Sequence, residues 1–428
     1  MSLYNHQQKI LDENKQKCLL ALGTGTGKSF LALKLAEGKV LVICPKQQKE
    51  EEMWEKENKK WDTKRDLTVI SKETFRRDWA TLPYFDTVIG DESHTLTGCT
   101  ADTHQKNRQA IPKTSQIFDA LYFYIQKHNP KRLYLLSATP ASKPMNIWST
   151  ARLLGINWNF YDFRDKYYSS FRMNNRLIYL AKRDKITKDN MVALIKRLGH
   201  TGLISDFTDV PDQTHKTVYI DLGKEQKEAL AHLSQTEADP LVRRARQRTV
   251  ENGVLYGKRI EKISDTEDKM VSETKIYPSK KIDYILERAQ EFKKILVFAN
   301  YKAQIKEIAK ALRKEGYEVS ELTGETKDRK NLISDAEKSE AHIVVAQCSI
   351  SAGYELPSFP CVIFSSLSWR SVDHIQAKGR VLRMNKLKKN LYIYLVVKGG
   401  PDEDCYKAIM EGNDFNEKLS IDTDTQQE

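Results

Sequence analysis

The sequence predicts an α/β protein with two parallel-sheet domains in tandem. Its 428 residues exceed the size of one typical domain, since about 150 residues per domain suggest two or three. Short apolar runs rich in β-branched residues alternate with longer amphipathic stretches, which is typical of parallel strands covered by helices on both faces. The runs form two series, separated by a mostly helix-like and charged stretch at roughly 141–280.

Each series contains enough strands for a sheet of its own. The first series is CLLALG (18–23), VLVIC (40–44), LTVIS (67–71), TVIGDE (87–92) and RLYLLSAT (132–139). The second is TVYIDL (217–222), KILVFAN (294–300), YEVSELTG (317–324), HIVVAQ (342–347), CVIFSSL (361–367) and LYIYLVV (391–397). We therefore expect a first domain at 1–205, with a helical extension at about 145–205, and a second at 206–428, with a basic helical insertion at about 224–275.

The composition excludes several classes of protein. The mean hydropathy of −0.60 and the absence of an 18-residue apolar run argue against a membrane span. The first residues lack the charged start, apolar stretch and cleavage site of a secretion signal, which predicts an intracellular protein, cytoplasmic or nuclear, that is not secreted. The net charge of +12 is compatible with a polyanionic partner such as nucleic acid, although many basic proteins bind none.

The cysteines are spaced too widely for a zinc cluster or a disulfide framework, both of which need closer pairs. We expect buried, unpaired thiols at all six positions. They are Cys18, Cys44, Cys99, Cys348, Cys361 and Cys405.

A glycine-rich turn links the first strand to a helix and predicts a nucleotide site. Glycines let backbone N–H groups approach phosphates, and the helix N-terminus favours negative charge. Lys28 would contact the β- and γ-phosphates, and the Ser29 hydroxyl would bind Mg²⁺. The pattern G-x-x-x-x-G-K-[ST] is met except at its first position, where Leu22 stands, and a turn without a ligand is the alternative. The turn comprises Gly23, Thr24, Gly25, Thr26, Gly27, Lys28 and Ser29.

An acidic pair follows the strand of the segment TVIGDESH. Asp91, at the edge of the sheet, would hold Mg²⁺, and Glu92 could deprotonate an attacking water. Such a pair is commonplace alone, but together with the Gly-Lys-Ser turn it predicts phosphoryl transfer, which needs positioning and charge compensation.

DESH forms a D-E-x-H box, and LLSATP (135–140) follows it, so the chain resembles superfamily 2 helicases. The resemblance implies two RecA-like domains that use ATP and Mg²⁺. LYNHQQ resembles the adenine-reading motif, with Gln7 as the reader. ICPK and VISKE fall where the nucleic-acid-contacting loops lie, which points to Pro45, Lys46 and Ser71. The same resemblance assigns residues that couple hydrolysis to movement. These are His94, Ser137, Thr139 and Gln376.

The second half of the chain resembles the later motifs of the family. QCSISAGYELP (347–357) implies nucleotide contacts from Gly353 and Glu355. In QAKGRVLR (376–383), Arg380 and Arg383 are spaced one helical turn apart, on one face. In the family, such arginines reach the γ-phosphate. A surface helix making salt bridges is the alternative for these arginines.

Weaker features resemble the Swi/Snf-like translocases of double-stranded DNA. Trp369 stands seven residues before Gln376, as in that class, and YPSKKIDYI (277–285) resembles the start of its second lobe. The sequence also departs from the usual motifs at three places. It has Ser-Ala-Thr where the Swi/Snf-like class usually has Gly-Thr, Glu355 where the wider superfamily has Asp, and Met384-Asn385 where Gly-Gln is usual. The chain thus resembles a small, divergent, phage-type helicase of this class.

The segment 241–262 is strongly basic. Arg243 and Arg244 would contact a phosphate backbone if it is a nucleic-acid-binding arm; a solvated helix face is the alternative. The expected function is an ATP-dependent motor, a DNA helicase or translocase, on double-stranded or branched DNA in replication, recombination or repair. An RNA helicase and a non-catalytic nucleotide-gated clamp are the alternatives.

Overall fold

The structure is a computed structural model. It describes residues 3–106, 109–139, 144–173, 176–182, 184–203, 206–207, 213–264, 267–350, 354–382 and 389–412. The chain divides into two compact units, Met1–Asp209 and Val210–Glu428. Each contains a six-stranded parallel sheet with helices, so the predicted fold class of two tandem α/β domains is confirmed.

The sheet of the first unit has the strand order β10-β1-β7-β4-β2-β3. Successive residues of a strand point to opposite faces, so Leu19 and Leu20 of β1 enter different apolar clusters. Apolar side chains thus cover both faces. The strands are β1 (Lys17–Leu22), β2 (Lys39–Cys44), β3 (Asp66–Ser71), β4 (Thr87–Gly90), β5 (Cys99–Lys106), β6 (Gln109–Thr114), β7 (Arg132–Leu136), β8 (Tyr168–Met173), β9 (Arg176–Ala181) and β10 (Gly199–Gly202).

The helices of the first unit connect these strands. They are α1 (Asn5–Glu13), α2 (Lys28–Leu35), α3 (Lys46–Glu50), α4 (Met53–Lys60), α5 (Lys72–Asp78), α6 (Gln116–His128), α7 (Pro144–Leu153), α8 (Phe160–Tyr167) and α9 (Lys185–Leu198), with a 3₁₀ turn at Ser93–Thr95.

The sheet of the second unit has the order β11-β18-β17-β14-β16-β15. Ile295 and Leu296 of β14 likewise enter opposite apolar clusters. The strands are β11 (Gln213–Ile220), β12 (Val254–Ser264), β13 (Glu267–Ile276), β14 (Lys294–Ala299), β15 (Val319–Leu322), β16 (His342–Gln347), β17 (Cys361–Phe364) and β18 (Asn390–Val397). The helices are α10 (Lys224–Thr236), α11 (Pro240–Glu251), α12 (Lys280–Glu291), α13 (Lys302–Lys314), α14 (Arg329–Lys338), α15 (Ser371–Lys378) and α16 (Pro401–Met410), with a 3₁₀ turn at Cys348–Ile350.

The extension and the insertion are not only helical, whereas the sequence led us to expect helical segments. Each contains helices and an antiparallel hairpin, β8–β9 in the first unit and β12–β13 in the second. A third hairpin, β5–β6, follows the 3₁₀ turn at 93–95. The hairpin segments carry aromatic and β-branched residues that favour strands, but they lack the continuous apolar runs of a buried strand.

A buried polar network joins α11, α12 and α16 of the second unit. The Lys281 ammonium donates to Asn252 Oδ1 at 2.7 Å, to the Ser365 carbonyl at 2.8 Å and to Asp402 Oδ2 at 2.8 Å. Burial raises the pKa of Asp402, but the charges of Lys281 and Arg248 outweigh it and leave that pKa below its usual value. All three ammonium protons are therefore satisfied inside the protein.

The cysteine prediction is confirmed, because all six thiols are free and buried. Over the described ranges, no helix combines the length and apolar character that crossing a membrane requires.

Candidate nucleotide-binding and catalytic site

The predicted site residues of the first unit lie at the carboxyl edge of its sheet. The glycine-rich turn follows β1, the acidic pair follows β4, and Ser137 follows β7, which lies between those two strands. All these strands are parallel, so their carboxyl ends meet at one edge. Ligands of open α/β sheets bind at this edge.

The glycine-rich turn has the backbone conformation that its glycines allow. Gly25 and Gly27 have φ angles of +78° and +88°, in the left-handed region that a Cβ atom disfavours. A Cβ on Gly27 would also lie 2.6 Å from Gln7 Nε2. Thr26 Oγ1 donates to the Gly23 carbonyl at 2.7 Å, and α2 begins at Lys28. The turn therefore delivers the chain to a helix N-terminus, the arrangement that suits a phosphate.

The Lys28 ammonium lies over the start of this turn. It donates to the carbonyl oxygens of Leu22 at 2.9 Å and Gly23 at 3.0 Å. A phosphate oxygen carries negative charge, so it attracts an ammonium group more strongly than a neutral carbonyl oxygen does. The side chain thus fits a polyphosphate that it can reach from the same loop.

Asp91 is the buried carboxyl group of the site. Burial raises its pKa to about 6, and the charge of Glu92 adds to this effect. The Glu92 N–H donates to Asp91 Oδ1 at 2.8 Å, and the Gln48 side chain is a further hydrogen-bond partner of Asp91. Within the described residues, no group of three or more His, Cys, Asp or Glu residues could hold a metal alone. The site fits Mg²⁺, which commonly binds one or two protein ligands plus phosphates.

Glu92 has an unusual backbone conformation for its residue type. Its φ of +45° and ψ of +50° place it in the left-handed region, where a residue other than glycine is strained. The surrounding contacts impose this conformation, since Asp91 Oδ1 holds its N–H and its carbonyl begins the 3₁₀ turn by accepting from Thr95 N at 2.8 Å. The backbone therefore fixes the direction in which the Glu92 side chain leaves the main chain.

His94 connects the acidic pair to the end of β7. Its Nδ1 lies 3.3 Å from Glu92 Oε2 and 3.1 Å from Ser137 Oγ. Ser137 Oγ also accepts from the Thr139 N–H at 3.0 Å. The hydroxyl of Thr139 is buried and has no hydrogen-bond partner among the residues that the structure describes. Three of the four predicted coupling residues are thus consecutive links of one contact chain.

The predicted adenine reader, Gln7, is buried against the glycine-rich turn. Its Nε2 donates to the Thr26 carbonyl at 3.3 Å, and its Oε1 accepts from the Tyr4 N–H at 3.3 Å. His6 Nε2 lies 3.2 Å from the same Thr26 carbonyl, and the His6 ring stacks on Phe207 with centroids 3.9 Å apart. Sequence reasoning missed His6, Phe207 and Gln48. His6 adjoins Gln7 and Gln48 follows the ICPK motif, which are signals that could have indicated those two.

The predicted nucleic-acid contacts of the first unit also lie at this edge. Cys44 and Ser71 are register partners that end β2 and β3, so Pro45, which follows Cys44, and Ser71 lie at the ends of neighbouring strands. Lys46 is exposed, and its ammonium lies 3.5 Å from Glu50. The buried Ser71 side chain accepts from the Thr74 N–H at 3.1 Å and caps α5. Of these three, Lys46 is the charged group that solvent reaches.

We expected Arg380 and Arg383 to lie on one face of a helix in the second unit. This prediction is wrong for Arg380, which lies outside helix α15. The helix α15 ends at Lys378, and the chain continues in a tighter turn in which the Arg380 N–H donates to the Ala377 carbonyl at 3.1 Å. Arg380 is buried and folds back, with Nε donating to the Gln376 carbonyl at 3.0 Å and Nη1 to the Tyr354 carbonyl at 2.9 Å. Gln376 is buried within α15. Glu355 is exposed, while Gly353 and Arg383 lie outside the described residues.

The basic segment 241–262 has structural partners for several of its arginines. Arg248 is fully buried, donates to the Leu367 carbonyl at 2.7 Å and lies 4.2 Å from the ring centroid of Trp369. Arg244 pairs with Asp404, and Arg243 is half-buried. The prediction that this segment is a nucleic-acid-binding arm is therefore wrong for Arg248, whose side chain points from α11 into the core of the second unit.

Comparison with known proteins agrees with the helicase resemblance of the second unit. Residues 279–385 match the family described as the helicase conserved C-terminal domain. The chain is similar to the SWI2/SNF2 ATPase core of Sulfolobus solfataricus in complex with dsDNA, with 19% identity over 96% of this chain and 91% of that one and a TM-score of 0.40. It is also similar to the Hef helicase domain of Pyrococcus furiosus, with 17% identity over 95% and 98% and a TM-score of 0.49.

Proposed function

We propose that the chain is an ATP-dependent nucleic-acid motor, a DNA helicase or a translocase on double-stranded DNA. The observation that carries the proposal is the contact chain at one edge of the first sheet. It runs from buried Asp91 through Glu92 and His94 to Ser137, beside a glycine-rich turn that presents Lys28. The helicase C-terminal domain at 279–385 supports the same function.

The triphosphate of ATP would bind to the glycine-rich turn. The backbone N–H groups of the turn and the start of α2 favour negative charge. The Lys28 ammonium would exchange its carbonyl partners for phosphate oxygens. Ser29 and Asp91 are the residues that would hold Mg²⁺, which when bound lowers the negative charge of the phosphates. Gln7 is proposed to read the adenine.

Hydrolysis would use Glu92 as the general base. A water attacks the γ-phosphorus, its proton passes to the Glu92 carboxylate, and the bond from the γ-phosphorus to the bridging oxygen breaks to release ADP. The strained backbone of Glu92 directs its side chain, and His94 Nδ1, 3.3 Å from Glu92 Oε2, is proposed to orient the carboxylate before the substrate arrives. Arg380 and Arg383 are proposed to compensate the phosphate charge as it develops.

Coupling to nucleic acid would pass through the residues at the ends of the strands. His94 contacts Ser137, whose hydroxyl holds the Thr139 N–H, so a change at Glu92 reaches the segment after β7. The neighbouring ends of β2 and β3 carry Pro45, Lys46 and Ser71, the proposed contacts to phosphates. Gly353, Glu355 and Gln376 keep their proposed roles in the second unit.

Phosphate release with different nucleic acids tests the proposal. The protein is assayed alone, with blunt, forked and four-way DNA, and with an RNA duplex at the same ionic strength. Stimulation of ATP turnover by DNA supports the proposal. Stimulation by RNA alone makes the protein an RNA helicase, and nucleotide-dependent DNA binding without turnover makes it a clamp; either result contradicts the DNA motor.

A further inference from the structure

The segment 365–370 of the second unit leads from the end of β17 to the start of α15, and two other helices hold its backbone. Lys281 of α12 donates to the Ser365 carbonyl at 2.8 Å. Arg248 of α11 donates to the Leu367 carbonyl at 2.7 Å. Since α11 belongs to the insertion, one of the two contacts that hold this segment comes from the insertion.

Arg248 makes a second contact with the same segment. The side chain is fully buried, and its guanidinium carbon lies over the Trp369 ring, 4.2 Å from the ring centroid. Removing a cation from water costs free energy that a leucine or a methionine at this position would not cost. A guanidinium adds direction, because it can bond to one carbonyl and lie over one ring at the same time. Arg248 therefore fixes where Leu367 and Trp369 lie relative to α11.

The held segment is tied in turn to the first turn of α15. The Ser368 hydroxyl donates to Asp373 Oδ2 at 2.5 Å, and both side chains are buried. Near the other end of this helix, Arg380 Nε donates to the Gln376 carbonyl at 3.0 Å. A shift of the segment would therefore move α15, and Gln376 and Arg380 would move with it.

We propose that Arg248 is a positioning residue for nucleotide hydrolysis, because it holds the segment ahead of α15 and so sets the place of Gln376 and Arg380. The inference rests on the proposed function and deepens it, since Gln376 is proposed to couple hydrolysis to movement and Arg380 to compensate phosphate charge. It also gives the insertion a part in the motor, since α11 supplies the contact.

Hydrogen exchange of the α15 amides, measured by mass spectrometry without nucleotide, tests the positioning. Arg248→Lys keeps the positive charge but loses the planar guanidinium. We expect the α15 amides to exchange about tenfold faster in this variant, because a hydrogen bond from a charged donor is lost or weakened. Val250→Ala is the matched control, since Val250 is fully buried in the same helix but packs with Leu233 and Tyr277. Exchange in α15 should stay within about twofold of the wild type in the control.

ATP turnover at saturating DNA tests the consequence for hydrolysis. Arg248→Lys and Trp369→Leu should each lower kcat by about 10- to 100-fold and leave the KM for ATP within about twofold, because they displace groups that act on the reacting phosphate. Trp369→Phe keeps an aromatic ring and should retain most of the rate. The double variant of Arg248→Lys and Trp369→Leu should lose no more than either single variant, because both remove one contact. Val250→Ala should turn over like the wild type.

Equally faster α15 exchange in Arg248→Lys and Val250→Ala would reduce Arg248 to a general contribution to stability and overturn the inference. Unchanged α15 exchange or wild-type kcat in Arg248→Lys, or additive losses in the double variant, would also overturn it. If Arg248→Lys does not fold, Trp369→Leu serves for both measurements, since the Trp369 ring is only partly buried. Wild-type protein without ATP turnover contradicts the proposed function, whereas α15 exchange decides separately whether Arg248 holds α15.

Discussion

His94 Nδ1 lies 3.1 Å from the hydroxyl oxygen of Ser137, which joins the acidic motif after β4 to the segment after β7. The same imidazole contacts Glu92 at 3.3 Å, so the two strand ends share one residue. In the proposed mechanism, a change in the Glu92 carboxylate during hydrolysis would therefore have a direct path to Ser137 and Thr139.

The first prediction concerns this contact. His94→Ala and Ser137→Ala should be non-additive for nucleic-acid-stimulated ATP turnover, with a coupling free energy of about 0.5–3 kcal/mol in a double-mutant cycle, because each removes the other's partner. As a control, the effects of His128→Ala and Ser137→Ala on turnover should be additive. His128 ends α6 ahead of β7 and therefore lies at the opposite edge of the sheet from Ser137. Additivity of the His94 and Ser137 variants would remove the proposed coupling path.

The second prediction concerns the pH dependence of Mg²⁺-nucleotide binding. The pKa of Asp91 is raised to about 6, so the group is mostly ionised above pH 6 and mostly protonated below it. Since Mg²⁺ is proposed to bind the Asp91 carboxylate, the dissociation constant for Mg²⁺-nucleotide should rise roughly tenfold for each pH unit below 6 and stay level above it. A fluorescent ATP analogue measures this. Asp91→Asn, and the wild type in EDTA, should lack this Asp91-dependent change; an equal pH dependence in Asp91→Asn would refute the assignment.

The third prediction concerns the buried Lys281–Asp402 pair. Lys281→Met leaves the buried Asp402 carboxylate without its cation and should lower the free energy of unfolding by about 3–5 kcal/mol, measured in urea. Lys302→Met is the matched control, because Lys302 pairs with Glu325 at 2.6 Å on the surface. Exposed pairs contribute about 1 kcal/mol or less. An equal loss of unfolding free energy in the two variants would show that burial does not decide how much an ion pair contributes to stability.

The fourth prediction separates two arginines of the segment 241–262. Arg243→Gln should reduce the salt dependence of DNA binding by about 0.9 in log–log slope and leave the urea midpoint unchanged, as expected for one phosphate contact. Arg248→Gln should lower the urea midpoint, because it removes a buried guanidinium from the Trp369 ring and the Leu367 carbonyl. An unchanged salt slope for Arg243→Gln would return that residue to a solvated helix face.

The sequence predicted the strands of both sheets except β10 (Gly199–Gly202), because buried parallel strands are continuous apolar runs, as in Val40–Cys44 of β2, and β10 contains no such run. The hairpins were not predicted, since β8–β9 has one exposed face and its apolar residues are interrupted by Ser169 and Arg172. The glycine-rich turn and the acidic pair could be recognised because their chemistry is local in the chain. The Phe207 ring on His6 and the inward turn of Arg380 could not, because distant packing creates both contacts.

The central claim is that Glu92 activates the water that attacks ATP, and phosphate release by Glu92→Gln tests it most directly. The amide cannot accept the proton, so we expect turnover to fall by about 10²- to 10⁴-fold while ATP binding stays within roughly twofold of the wild type. Glu55→Gln, at an exposed glutamate of α4, is the matched control and should turn over normally. Wild-type turnover by Glu92→Gln, in the presence of saturating DNA, would contradict the account.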